Sequence, residues 1–116
     1  MRGEEIVKAC VKYADEKKAT DILGLDLRKI SLVADYFVLC TAGNVNQAKA
    51  ISDNIDEKMS EAGQRPFRTE GYKEGRWILL DFGSVVVHIF QEEERKYYNL
   101  ERLWADAALV QLDIAD

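Results

Sequence analysis

One stretch constrains this chain more than any other: Trp77 to Phe90, WILLDFGSVVVHIF. Two runs of strand-forming residues flank Gly83-Ser84, which suits a two-residue hairpin turn whose first central position needs a positive φ. Such a turn fixes the register, so Phe82 faces Val85, Leu80 faces Val87 and Ile78 faces Ile89. Side chains alternate across a strand, and these six residues therefore share one wholly apolar face. The opposite face pairs Asp81 with Val86, Leu79 with His88 and Trp77 with Phe90. It mixes large apolar groups with one carboxylate and one imidazole. The apolar face must be buried in a core. The mixed face is either covered by further helices or built for a partner, since aromatic residues beside a few placed polar groups make up the centre of many interfaces.

The rest of the chain supplies what the hairpin needs. Ile6, Val7, Cys10, Val11 and Ala14 recur at helical spacing, which predicts an amphipathic helix from Glu4 to about Lys18. Thr20 to Leu27 reads as a strand in which Gly24 marks a bulge or a close approach. Arg28 to Asp35 reads as a connection, and Tyr36 to Thr41, apolar on both sides, as an interior strand. Asn44 with Gln47 three residues later resembles a capping box opening a helix to about Ala62, with Ala48, Ile51, Ile55 and Met59 as its buried stripe. Gly63 is placed to end that helix. Phe67 to Tyr72 reads as another strand. Glu92-Glu93-Glu94 open a short helix at the end where its dipole favours anions, with Tyr97, Leu100, Leu103 and Trp104 as its apolar edge; Ala105 to Asp116 either extends or frays it. The class is α/β or α+β with a mixed sheet flanked by helices. A length of 116 residues favours one domain, assigned to residues 1–106, with 107–116 as a C-terminal extension or tail.

Composition removes several functions. The net charge is −5, and residues 92–116 carry seven acids against three bases. Non-specific nucleic-acid binding depends on clustered Lys and Arg, so DNA is not an expected partner and any RNA contact is secondary. No apolar run is long enough to span a bilayer, and the N-terminus MRGEEIVKAC lacks the uncharged centre of a signal peptide, so a cytoplasmic location is expected. Cys10 and Cys40 lack companions at ligand spacing and read as buried hydrophobes; no metal or cofactor is expected.

A search for catalytic groups finds none that agree in spacing. Gly43-Asn44 could hold a phosphate at a helix N-terminus, but capping explains both residues without a ligand. His88, the one histidine, has only the turn residue Ser84 near it in sequence, and no nucleophile elbow surrounds that serine. Asp26 and Asp81 are isolated strand acids, without the second carboxylate that magnesium-dependent phosphoryl chemistry uses.

The pieces WILLDFG, VVVHIF, EEER and YYNLERLW, with DILGLDL, ADYFVLCTAGN and Glu70-Gly71 before them, stand in the order and spacing of a known family. From about Ile6 to Asp106 the chain resembles the ribosomal silencing factor family, also called Iojap-like proteins. It departs at Ser84, where the family usually has aspartate. The resemblance implies a nucleotidyltransferase-like fold without the catalytic carboxylates, and no enzymatic activity. It implies binding to the large ribosomal subunit through ribosomal protein L-fourteen, which blocks association of the subunits and represses translation under nutrient limitation. Combined with the hairpin, it makes Trp77, Leu79, Asp81 and His88 the expected docking residues, with Tyr98 and Trp104 supporting or contacting the partner. The other readings are a small nucleotidyltransferase-like enzyme and a homodimeric scaffold that uses the same sheet face.

Overall fold

In the computed structural model, which describes residues 1–112, the hairpin is the middle of a six-stranded sheet. Strand β4 (Trp77–Asp81) and strand β5 (Val85–Gln91) pair antiparallel in the expected register, with Ile78 opposite Ile89, Leu79 opposite His88 and Leu80 opposite Val87. The Phe82 N–H donates to the Val85 carbonyl at 2.8 Å, closing a two-residue turn, and Gly83 sits at φ +89°. Only glycine takes that conformation without strain.

Strand β2 (Tyr36–Ala42) lies parallel to β5 on its other side, and β1 (Thr20–Asp26) pairs antiparallel with β2. The short edge strand β3 (Arg68–Glu70) pairs with β4, and β6 (Ala108–Leu109) with β1, giving the order β3-β4-β5-β2-β1-β6. β3 is shorter than the expected strand over 67–72. At Gly71, φ is +75°, and a Cβ there would lie 2.0 Å from the Trp77 carbonyl oxygen, so the chain turns away after Glu70.

Helices α1 (Gly3–Glu16) and α2 (Val45–Glu61) both pack on the wholly apolar hairpin face. Their stripes are the expected ones: Ile6, Val7, Cys10, Val11 and Ala14 from α1, and Ala48, Ile51, Ile55 and Met59 from α2. These close over Val38 and Cys40 of β2, Ile78 and Leu80 of β4, and Val85, Val87 and Ile89 of β5. Each fully buried aliphatic here contributes about 1.5–3 kcal/mol relative to exposure. Asn54 ties the two helices together, its amide donating to the Tyr13 carbonyl at 2.9 Å and to Glu16 Oε1 at 3.0 Å.

The C-terminal part departs from expectation. Helix α3 (Glu92–Tyr98) stops at Asn99, which adopts a left-handed conformation (φ 44°, ψ 59°), and a single further turn, α4 (Leu100–Leu103), follows in a new direction. The redirected chain lays Leu100, Trp104 and Ala107 against Leu25, Leu27, Leu39 and Phe90 on the second face of the sheet. Instead of extending the helix or fraying, the described part of 105–116 adds strand β6, and Val110 and Leu112 reach the main core. At Gly24 the close approach is to Val7 and Val110, while the bulge falls earlier, between Thr20 and Leu23, where Asp21 has φ 48°.

Candidate functional site

The second face of the sheet is an aromatic platform gathered from four elements. Trp77 of β4 packs against Phe90 of β5 (ring centroids 5.0 Å apart) and Tyr98 of α3 (4.5 Å). His88 lies beside it on β5, with Phe37 of β2 edge-on at 4.6 Å. Trp104, just past α4, meets Phe37 at 6.0 Å with the rings perpendicular. Pairs in these geometries add about 0.5–1.5 kcal/mol beyond the area they bury.

The platform is covered unevenly. At the β1–β2 side Leu100, Trp104 and Ala107 roof it. At the β4 side Trp77, Leu79 and Asp81 are only half-buried, Tyr98 is 46% exposed, and Tyr97 beside it is 82% exposed. The six expected docking residues therefore divide. Trp77, Leu79 and Tyr98 share the open part. Trp104 lies in the roof and, like Trp77, is only partly buried. His88 is only 4% exposed, so it cannot itself meet a partner as a surface group.

Asp81 is already engaged within the chain. One carboxylate oxygen accepts the Gly83 N–H at 2.8 Å, and the other accepts from Arg68 Nε at 3.1 Å. Arg68 of β3 thus supplies a basic group from within the chain, and the turn contact is a common role for an acid at a strand end.

His88 has one hydrogen bond, accepted by Nδ1 from the Trp77 indole Nε1–H at 3.1 Å. The indole nitrogen is only a donor, so Nδ1 carries the lone pair and the imidazole proton sits on Nε2. That Nε2 is buried and has no partner among the described residues. An unmet buried donor costs about 1–3 kcal/mol. Burial alone pushes the imidazole down from 6.5 to about 4, which keeps it neutral at physiological pH.

Sequence reading missed Phe37 and Tyr97. Phe37 alternates out of the helix-covered face of YFVLCT, but its place beside His88 depends on the parallel β2–β5 pairing, a long-range contact that no local pattern encodes.

Asp26 on β1 and Asp81 on β4 lie three strand spacings apart, roughly 14 Å at about 4.8 Å per spacing. Asp26 is held by Arg28 through contacts of 3.0 and 2.7 Å, which lower its pKa below the ordinary carboxylate value. Among the described residues no group of three or more His, Cys, Asp or Glu is placed to hold a metal. The N-terminus of α2 is filled by its own side chains: Asn44 Oδ1 accepts from Gln47 N at 2.8 Å, and Gln47 Oε1 accepts from Gly43 N at 2.6 Å. The capping reading of Gly43-Asn44 therefore accounts for both residues. Cys10 and Cys40 are both buried, which pushes each thiol up to about 12 and leaves it unreactive at neutral pH. No helix among the described residues is long and apolar enough to cross a membrane.

A mixed sheet closed by helices on one face, with a partly open aromatic platform on the other, defines an α+β protein with a candidate docking surface. The family model described as "Ribosomal silencing factor during starvation" matches residues 1–116, and the chain belongs to that family. It is 47% identical to ribosomal silencing factor RsfS of Bacillus subtilis over 113 residues, covering 97% of this chain and 96% of that protein. It is 39% identical to the chloroplastic protein Iojap of Zea mays over 104 residues, 87% of this chain and 44% of that longer protein. Among solved structures, it is similar to a Bacillus halodurans protein with a TM-score of 0.84 at 39% identity, covering 95% of this chain and all of that one. A Chromobacterium violaceum protein gives a TM-score of 0.88 at 30% identity, covering 99% and 95%.

Proposed function

We propose that this protein silences ribosomes by binding the large subunit through ribosomal protein L-fourteen, using the open half of its aromatic platform. Seated there, it blocks joining of the small subunit and represses translation when nutrients are limiting. The observation that carries this reading is the half-buried Trp77, flanked by Leu79 and the exposed edge of Tyr98, on a sheet face its own helices leave partly open. Family membership supplies the ribosome as the target. A centrally placed aromatic anchor of this kind typically costs about 2 kcal/mol or more of binding energy when truncated, which is roughly a thirtyfold change in affinity.

The test is co-sedimentation of Trp77→Ala with purified large subunits, followed by a subunit-joining assay. Binding should fall at least tenfold in a variant that keeps its circular dichroism spectrum, and joining should be restored. Wild-type binding by the folded variant would remove Trp77 from the interface. Light scattering of the protein alone, before and after the same substitution, tells whether the platform also serves a homodimer.

A further inference from the structure

The Trp77–His88 pair fixes what kind of group the partner can present to the platform. An indole N–H that becomes buried usually finds a hydrogen-bond acceptor. Here that N–H already donates to His88 Nδ1. The imidazole that accepts it is wedged between Phe37, edge-on at 4.6 Å, and Phe90, nearly parallel at 9° and 6.0 Å. It therefore cannot swing away without disturbing the platform's packing. Phe90 and Tyr98 pack on the indole with ring centroids 5.0 and 4.5 Å away, which restrains the ring while it stays only partly buried.

The imidazole gains nothing for the core that an aliphatic residue would not. Its fully buried neighbours on the same face, Leu39 and Phe90, are apolar, and its own Nε2–H goes unmet. What the histidine supplies is an acceptor placed under the tryptophan, and burial keeps that acceptor unprotonated.

We propose that His88 is a positioning residue for the docking face: it takes up the Trp77 indole N–H, locks the ring, and makes the partner's contact over Trp77 an apolar side chain rather than a hydrogen-bond acceptor. The proposal rests on Trp77 being the docking anchor.

The experiment is a double-mutant comparison read by large-subunit co-sedimentation, together with the indole N–H resonances in a ¹⁵N spectrum. Only Trp77 and Trp104 contribute such resonances, and Trp77→Phe assigns them. His88→Leu keeps the bulk and removes the acceptor; it should shift the Trp77 indole resonance and weaken binding about tenfold. In a Trp77→Phe background, where there is no N–H to hold, His88→Leu should cost no further binding. His88→Asn, whose carbonyl oxygen sits where Nδ1 does, should retain most of the affinity with Trp77 present. An equal loss from His88→Leu in both backgrounds would assign the histidine a structural role only and overturn the proposal, as would unchanged binding in the wild-type background. If His88→Leu fails to fold, His88→Asn decides the same comparison: affinity lost equally in both backgrounds overturns it. Wild-type binding by Trp77→Ala would instead sink the docking reading itself, and the indole resonance would still report whether the internal bond exists.

Discussion

The two faces of the central sheet are made by the same strands and have opposite fates. On one, Ile78, Leu80, Val87 and Ile89 are fully buried beneath two long amphipathic helices. On the other, Trp77, Leu79 and Asp81 remain half-open, while a few residues after α3 roof only the β1–β2 side. The first face is aliphatic and densely packed, so its residues answer to volume. The second is aromatic and hydrogen-bonded, so its residues answer to orientation. On the docking reading proposed above, stability and recognition lie on opposite sides of one sheet, and a substitution can damage one while sparing the other.

That separation can be broken in graded ways. The largest effect belongs to the closed face: Leu80→Ala should destabilise the fold by about 2–5 kcal/mol, measured by urea unfolding. Trp77→Ala, from a half-open site, should cost clearly less stability than Leu80→Ala yet weaken large-subunit binding at least tenfold. Equal stability losses would erase the distinction between the faces.

Next comes acid. His88 titrates near 4 in the folded protein against 6.5 ordinarily. Between those values the unfolded chain binds the proton and the folded one does not, so this group's contribution falls as pH drops from 6.5 toward 4. The full loss is roughly 3 kcal/mol. Above pH 6.5 both states are neutral and the slope vanishes. Urea unfolding at pH 7 and pH 4.5 should show a drop that is smaller in His88→Asn, because the carboxylates common to both proteins contribute equally. Phe37→Ala sharpens the point: with the covering ring gone, water reaches the imidazole, and its pKa, followed by NMR, should rise toward 6.5. An unmoved value would mean that Phe37 does not seal the site.

The smallest effect is at the rim. Asp81→Asn keeps an oxygen for the Gly83 N–H but weakens the pair with Arg68, whose side chain is largely exposed. Pairs of this kind contribute under about 1 kcal/mol, and the variant should unfold within that margin of wild type and still bind large subunits.

How much of this was legible beforehand follows from the range of each interaction. The hairpin register, the stripes of α1 and α2 and the cap at Asn44 are set by residues a few positions apart, and alternation or helical spacing displays them. The left-handed Asn99 has no comparably firm local signal. It breaks an otherwise helical run and sets Trp104 into the roof over the β1–β2 side. The burial of His88 was equally hidden, since it depends on Phe37 arriving from a strand some fifty positions earlier, a distance read directly from the numbering.

By itself, then, the chain's order of residues determined the two-faced hairpin, the mixed α+β class and the family, because alternation, helical periodicity and motif spacing are local properties. Only the tertiary structure decided which half of the aromatic face stays open, that Asp81 is satisfied by Arg68, and that Trp77 leans on a neutral histidine. Those outcomes depend on side chains far apart in sequence meeting in a water-poor space, where burial sets both protonation and orientation.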